Sequence, residues 1–238
     1  MSRSTGFFDE RAESWASLYS ADPSFERRYA LITQLISGTL GQREPTHALD
    51  LGCGGGVFSA YLVESGWRVV AADASPAMLQ AAESYCRTRL GGGFDAIEFR
   101  ERRIEDLDLG HESFDLVLCL STLEYVEDDR TAVRSMAAAL RPGGILVLTV
   151  PNRRSLVRLL ERFVDRVRRS PGSYLRLQRH QYLPNEIDAA LSRLGMRKQR
   201  DVFWSAGFSR PRSISVLLER PWWAGMYGAA YMKRAGTG

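Results

Sequence analysis

Short apolar runs alternate with amphipathic stretches along most of this chain. The apolar runs are rich in Val, Ile and Leu and are too short for helices, which is typical of buried strands. They predict strands at 47–51, 68–73, 96–101, 114–120, 145–150 and 197–204. The stretches between them repeat apolar residues at helical spacing and predict helices at 57–65, 76–89, 129–140 and 184–194. This alternation predicts an α/β fold, a parallel sheet with helices on both faces and ligands at the carboxyl ends of its strands.

Several helix ends are marked by local signals. Apolar residues recur at helical spacing over 25–36 and predict a helix before the first strand, which Gly38 and Gly41 help to end. Ser75 is a favourable N-cap, and Pro76 suits the first position of the helix after the second strand.

Composition places the chain among globular proteins. It has 238 residues, of which 45% are hydrophobic and 25% charged, enough for one large domain with an appended cap. Cys53, Cys86 and Cys119 show no CxxC or His-paired spacing, so we expect neither disulfides nor a metal site. No signal peptide and no stretch of roughly 20 apolar residues is evident. We therefore expect a cytoplasmic protein that touches a membrane at most peripherally.

The positive charge is concentrated in one segment, 153–169. This segment contains seven arginines against Glu161 and Asp165, whereas the formal net charge of the whole chain is only +4. One helical face is apolar and consists of Leu156, Leu160, Phe163, Val164 and Val167. The arginines lie largely on the other face, at Arg154, Arg158, Arg162, Arg166 and Arg169. The pattern predicts a basic amphipathic helix.

Two interpretations of this basic helix remain open. It could contact an anionic membrane or guide an acidic or lipophilic acceptor, or it could be a solvated face over the protein's own cap. Nucleic-acid binding is not expected, because the arginines are not interleaved with an aromatic platform and no recognition module is present.

A glycine-rich turn, LDLGCGGGVFSAYL at 49–62, connects the first strand to the next helix. Gly52, Gly54 and Gly56 leave the backbone bare at a helix N-terminus, which predicts a nucleotide-like cofactor. A nicotinamide dinucleotide fingerprint, GxGxxG, would need Gly or Ala where Val57 stands. Asp73 closes the second strand, where a carboxylate can accept from both hydroxyls of a ribose.

Three segments together identify a family. LDLGCGGG with Asp73, FDLVLCLSTLEYV and LRPGGILVLTVPN resemble, in this order, the class I S-adenosylmethionine-dependent methyltransferases over roughly residues 45–152. The resemblance implies a Rossmann-like, seven-stranded, mostly parallel sheet with a small helical cap, and S-adenosylmethionine as the cofactor. The implied cofactor-binding residues are Asp50, Gly52, Gly54, Gly56, Asp73, Ala74, Ile104, Glu105 and Leu120. In the family, Asp50 and the glycine backbone hold the amino-acid end and Asp73 the ribose.

The adenine position departs from the family pattern. Many relatives carry an acid just after the third strand, whereas this chain has Arg103 at the matching position. Ile104 can still offer its backbone N–H, and Glu105 or Asp106 could replace the missing acid.

The acceptor side is less well defined by the resemblance. Many small-molecule methyltransferases read LHH or similar at 123–125, where this chain reads LEY, so no catalytic histidine carries over. Of the three histidines, only His180 lies near a segment that contacts the acceptor in relatives. It is the candidate catalytic residue, and the alternative is that it orders the loop before the helix at 184–194. The candidate substrate-binding residues are Tyr19, Tyr125, His180 and Tyr182.

The N-terminal segment FFDERAESWASLYS resembles the opening helix of ubiquinone-type O-methyltransferases. Phe7, Phe8, Trp15 and Tyr19 would then form an apolar lid over the cofactor, and the alternative is ordinary packing against the sheet. Family topology also requires a last, antiparallel strand at 213–219 or 226–233. We favour 226–233, because relatives often finish on a strand that ends in basic residues.

These observations predict four parts and one activity. The parts are a lid at 1–44, a cofactor-binding core at 45–152, a basic cap at 153–182 and the completion of the fold at 183–238. We expect O-methylation of a hydroxylated lipophilic or aromatic small molecule. The alternatives are N- or C-methylation of a small molecule or lipid, a non-catalytic S-adenosylmethionine-binding module, and a nicotinamide-dependent oxidoreductase.

Overall fold

The computed structural model describes residues 3–106, 114–168, 174–205 and 220–235. The strands are β1 (His47–Leu51), β2 (Arg68–Asp73), β3 (Ile97–Glu101), β4 (Phe114–Leu120), β5 (Leu140–Pro151), β6 (Met196–Trp204) and β7 (Met226–Lys233). The α-helices are α1 (Arg3–Asp9), α2 (Ala12–Trp15), α3 (Leu18–Ala21), α4 (Pro23–Leu40), α5 (Val57–Glu64), α6 (Pro76–Leu90), α7 (Asp129–Ala139), α8 (Leu156–Arg168) and α9 (Pro184–Arg193).

All seven strands form one sheet in the order β3-β2-β1-β4-β5-β7-β6. The strands from β1 to β5 pair in parallel, and β7 lies antiparallel between β5 and β6. The predicted Rossmann-like fold is therefore confirmed, as is the last strand at 226–233. The other candidate, 213–219, lies outside the described residues. Gly228 in β7 packs closely against Trp204, because a Cβ there would lie 3.0 Å from the Trp204 ring.

Most predicted elements match the structure to within one or two residues. Ser75 caps α6 by accepting the backbone N–H of Met78 at 3.0 Å. Two differences are larger. β5 begins at Leu140, five residues before the predicted strand, because the backbone there pairs with Phe114 of β4. α4 continues through Gly38 and ends at Gly41, whose φ of 60° lies in the region that favours glycine.

The core consists of two apolar clusters on opposite faces of the sheet, since successive strand residues point to opposite sides. One cluster joins the sheet to α7 and α9, and it includes Leu49, Leu148 and Leu191. The other joins the sheet to α4, α5 and α6, and it includes Ile36 and Phe58. The three cysteines are buried and unpaired. Among the described residues, no helix is long and apolar enough to cross a membrane. The division of the chain at 44, 152 and 182 stays a prediction.

Candidate cofactor and acceptor site

The turn between β1 and α5 has the backbone geometry that requires glycine. Gly52, Gly54 and Gly56 have φ values of 66°, 53° and 77°. A Cβ at Gly52 would overlap the Thr122 side chain, and the Gly52 N–H donates to the Ala72 carbonyl at 2.7 Å. The turn thus lies close against the ends of β2 and β4, with its backbone open to a cavity.

This cavity has a volume of about 970 Å³ and lies at the carboxyl ends of the central strands. The size is within the range of small-molecule and cofactor sites, roughly 300–1,000 Å³. Of the predicted cofactor-binding residues, Asp50, Gly52, Gly54, Asp73, Ala74, Ile104, Glu105 and Leu120 line it. Gly56 lies behind the cavity at the start of α5, where a Cβ would come within 3.0 Å of Ala82 and Cys86. Its role is therefore close packing of α5 against α6.

Asp50 is a buried carboxylate at the inner end of the cavity. Ser59 donates a hydrogen bond to its Oδ2 at 2.6 Å. Burial raises the pKa of Asp50 to about 6, and the bond from Ser59 only partly opposes this shift. A cationic group placed beside Asp50 would restore the carboxylate form. The residue thus has the chemistry needed to accept hydrogen bonds from the ammonium group of a ligand.

Asp73 closes β2 and faces the same cavity. Its Oδ2 accepts the Gly54 N–H at 3.0 Å, and its Oδ1 accepts the Ser75 N–H at 2.9 Å. Burial raises the pKa of this carboxyl, and the backbone hydrogen bonds oppose the shift. Each carboxylate oxygen has two acceptor positions, so both can still receive a hydroxyl group of a ligand. Asp73 therefore orders the turn and presents two acceptors to the cavity.

Arg28 also lines the cavity, and the sequence analysis missed it. Its Nη2 donates to the Leu120 carbonyl at 3.4 Å, and its guanidinium lies 5.8 Å from the centroid of the Tyr19 ring. Its Nε is buried and has no hydrogen-bond partner among the described residues. A buried donor without a partner is costly unless a ligand satisfies it. The sequence does contain a signal for Arg28, because this charged residue lies one helical turn before Ile32 on the apolar side of a predicted helix.

The adenine side of the cavity is occupied by charge pairs of the protein itself. Glu105 accepts the backbone N–H of Glu127 at 2.7 Å and lies 3.4 Å from Arg103. Arg103 also pairs with Glu127 at 3.2 Å and approaches Asp106 at 4.0 Å. Ile104 is buried between these charges. The replacement of the missing acid by Glu105 or Asp106 stays a prediction, and Glu105 already serves the loop around Glu127.

Aromatic residues also line the cavity. Tyr19 and Tyr125 both line it, with Phe8 packed edge-on against Tyr125 at a centroid distance of 5.2 Å. Burial raises the pKa of Tyr19 and of Tyr125, so both phenols stay protonated at neutral pH. They can donate hydrogen bonds and pack against a ring, but they are poor proton acceptors.

The short helices α1 to α3 cover the glycine turn. Trp15 lies against Gly54, where a Cβ would come within 3.1 Å of the indole nitrogen. Ser75 and Asp9 form a hydrogen bond that joins α1 to the end of β2. The segment predicted as one opening helix is therefore three short helices, and it lies where the predicted lid would be.

His180 and Tyr182 lie outside the lining of this cavity. The Nε2 atom of His180 is 3.0 Å from the Val126 carbonyl, and its Nδ1 is 3.6 Å from Asp129. The Tyr182 hydroxyl donates to the Leu123 carbonyl and to Asp129 at 3.3 and 3.1 Å. Both side chains thus hold the loop after β4. This placement favours the loop-ordering alternative for His180, and its catalytic role stays a prediction.

The fold and the cavity have the features expected for an adenosine-type cofactor that bears an amino acid. The buried Asp50 carboxylate and the half-buried Arg28 guanidinium suit the ammonium and carboxylate groups of such a ligand, and Asp73 suits its ribose. A dinucleotide fits less well, because Asp50 would oppose the negative charge of a pyrophosphate beside the turn.

Comparison with known proteins points the same way. Residues 49–148 match a family model described as a methyltransferase domain. A ubiquinone biosynthesis O-methyltransferase from Haemophilus ducreyi is 30% identical over 61% of this chain and 62% of its own. One from Xanthomonas axonopodis pv. citri is 32% identical over 63% of this chain and 64% of its own. The match thus spans somewhat less than two thirds of the length of these curated relatives.

A solved structure shows the same fold. It is the N-methyltransferase NodS from Bradyrhizobium japonicum WM9 in complex with S-adenosyl-L-homocysteine, with a TM-score of 0.69 over 98% of both chains and 17% identity. The match to the methyltransferase domain model thus covers residues 49–148, and the fold is shared with a methyltransferase of known structure.

Proposed function

We propose that this protein methylates a hydroxyl oxygen of a lipophilic or aromatic small molecule. The observation that carries the proposal is that one cavity is lined both by the charged groups of Asp50, Asp73 and Arg28 and by the aromatic rings of Tyr19 and Tyr125. The curated relatives are named O-methyltransferases, which supports oxygen as the accepting atom.

The charged residues of the cavity would hold the cofactor. Asp50 would accept from its ammonium group, Arg28 would donate to its carboxylate, and Asp73 would accept from both ribose hydroxyls. When bound, S-adenosylmethionine supplies a methyl group on a positively charged sulfur. The contribution of these residues is alignment, which accounts for much of the acceleration in an in-line displacement.

The aromatic residues of the cavity would hold the acceptor. Tyr19, Tyr125 and Phe8 provide flat apolar surfaces for a ring, and the two phenols add hydrogen-bond donors. The cavity carboxylates Asp73 and Glu105 already accept backbone hydrogen bonds. This favours a phenol or enol as the acceptor, since such a hydroxyl loses its proton to water more readily than an alkyl alcohol does.

A matched substrate panel tests the accepting atom. The purified protein and S-adenosylmethionine are incubated with pairs of compounds that share an apolar scaffold and differ only in carrying a phenol or an amine. Mass spectrometry then identifies the methylated atom. We expect methyl transfer to the phenols. Methyl transfer to the amines alone would indicate N-methylation instead. Calorimetry that detects binding of NADH but no binding of S-adenosylmethionine would contradict the assigned cofactor site.

The cofactor assignment is tested by Asp73→Ala. Loss of charge-assisted hydrogen bonds worth about 1.5–3 kcal/mol each should weaken S-adenosylmethionine binding by at least about tenfold in calorimetry. Asp95→Ala, at an exposed position outside the cavity lining, is the matched control and should bind like the parent. Unchanged affinity in a folded Asp73→Ala variant would contradict the assignment.

A further inference from the structure

Most apolar side chains of the helix α8 face solvent, whereas its inner side carries polar residues beside the buried Val157. Arg158, Glu161 and Asp165 lie toward the body of the molecule, whereas Leu160 and Phe163 are 61% and 66% exposed. Surface helices of globular proteins normally show the opposite arrangement. The helical pattern groups Arg158 with Arg162 and Arg166 on one face, but in the structure the Arg158 side chain is only 8% exposed and lies on the inner side of the helix.

Polar contacts hold α8 in this orientation. The Nε of Arg158 donates to the Gly225 carbonyl at 3.1 Å, and its Nη1 donates to Glu161 and to the Tyr174 hydroxyl at 3.1 and 3.2 Å. One turn further, Asp165 pairs with Arg176 at 3.0 Å. Rolling the helix to bury its leucines would break these contacts. The outward apolar side is therefore a fixed feature of the fold.

The exposed apolar side of α8 is continuous with an exposed tryptophan. The Leu156 N–H donates to the Trp222 carbonyl at 3.0 Å, and the Trp222 side chain is 60% exposed. We define the outer surface as Leu156, Leu159, Leu160, Phe163, Val167 and Trp222. Single exposed apolar residues are ordinary, but a contiguous group of this size marks an interaction site.

Cationic side chains border the outer surface. Arg154, Arg162 and Arg166 form no ion pair with a carboxylate among the described residues, and the Arg154 guanidinium lies 5.2 Å from the Trp222 ring. The two acids of the helix are already engaged by Arg158 and Arg176 on its inner side. Arg169 lies outside the described residues. The surface is thus apolar at its centre and positive along its border.

We propose that the outer surface docks on an anionic lipid bilayer. Leucine and phenylalanine would enter the boundary between headgroups and acyl chains, Trp222 would lie at the headgroup level, and the bordering arginines would meet lipid phosphates. A second copy of this chain fits less well, because a two-fold contact would bring the same unpaired arginines together. The inference does not depend on which acceptor the site methylates.

Co-sedimentation with vesicles tests the docking. The parent protein is mixed with vesicles of phosphatidylcholine alone or with added phosphatidylglycerol over a salt series. We expect binding to the anionic vesicles that falls as salt rises, since the attraction is screened within a Debye length. Arg162→Glu with Arg166→Glu should lower partitioning at low salt by at least about tenfold. Leu160→Glu with Phe163→Glu should remove binding at every salt concentration.

The matched control is Arg130→Glu with Arg134→Glu, two exposed arginines with the same spacing on α7. This variant should sediment like the parent. Thermal unfolding and S-adenosylmethionine binding establish that each variant is folded. The proposal is overturned if the parent does not bind anionic vesicles at low salt, or if the α7 control loses binding equally. A dimer of the parent in light scattering, dissociated by Leu160→Glu with Phe163→Glu, would also overturn the proposal if neither the parent nor this variant binds vesicles.

Discussion

Two helices, α4 and α8, each place one arginine away from bulk solvent, and the two arginines differ in their partners. Arg158 on α8 is saturated by the Gly225 carbonyl, Glu161 and the Tyr174 hydroxyl. Arg28 on α4 has a single hydrogen bond of 3.4 Å and a buried Nε without a partner among the described residues. A buried arginine whose N–H donors have protein partners stabilises the fold. A buried N–H donor without a partner beside a cavity indicates instead that a ligand binds there.

The helices also differ in which side they bury. α4 follows the usual rule, with Ile32, Leu35 and Ile36 in the core. α8 buries Arg158 and exposes Phe163. Because water no longer solvates the inner side of α8, its polar groups must find protein partners, and they do. An amphipathic pattern therefore predicts a helix, but it does not decide which side faces the core.

Replacement of Arg158 should produce the largest effect on stability. Arg158→Ala removes the hydrogen bonds from this side chain to the Gly225 carbonyl, to Glu161 and to the Tyr174 hydroxyl, which help to hold α8 against the molecule. We expect the free energy of unfolding to fall by about 3 kcal/mol in urea denaturation. Arg166→Ala, at an exposed position on the same helix, should change it by less than about 0.5 kcal/mol. Equal changes in the free energy of unfolding of the two variants would contradict the distinction between the inner and outer sides of α8.

Replacement of Arg28 should act on binding instead. Arg28→Ala removes a charge-assisted bond worth about 1.5–3 kcal/mol, so affinity for S-adenosylmethionine should fall roughly ten- to hundredfold in calorimetry. The free energy of unfolding should change less than in Arg158→Ala, since Arg28 has fewer protein partners. A variant that unfolds as readily as Arg158→Ala but binds the cofactor normally would contradict the comparison.

Glu124 is a buried carboxyl that is influenced by both arginines. Burial raises its pKa to about 7 from 4.5, which Arg158 and Arg28 only partly oppose, and its Oε2 has no partner among the described residues. Because the folded-state pKa is the higher one, its contribution to stability is present below pH 4.5 and is lost as pH rises through 7. The stability of Glu124→Gln relative to the parent should therefore rise by about 2–3 kcal/mol between pH 5 and 8. A pH-independent difference in thermal unfolding would contradict this.

Asp50 should make cofactor binding depend on pH. Burial raises its pKa to about 6, and only the carboxylate accepts from an ammonium group. Below pH 6 the proton must be displaced first, so affinity for S-adenosylmethionine should fall by about tenfold for each pH unit. Calorimetry from pH 5 to 8 measures the slope. Asp50→Asn should bind S-adenosylmethionine weakly, and its affinity should depend less on pH. An equally steep pH dependence in this variant would mean that another group takes up the proton.

Much of the fold and several charged or glycine residues that line the cavity could be predicted from the sequence. The turn at Gly52 and Gly54 depends on backbone conformations that glycine favours, and Asp73 ends a strand whose apolar pattern is evident from neighbouring residues. These signals act over a few residues, so they are present in the sequence itself. The final strand was placed by resemblance, because its two candidate segments have similar local patterns.

The tertiary structure alone decided where Arg28, His180 and α8 lie. His180 contacts the Val126 carbonyl, far away in sequence, and this contact places it on the loop after β4 instead of in the cavity. The side of α8 that faces the protein is decided by Gly225 and Arg176, which belong to other segments. A helical pattern determines which residues share a side, since that follows from 3.6 residues per turn. Which side becomes the inner one depends on the partners that the rest of the chain brings to it.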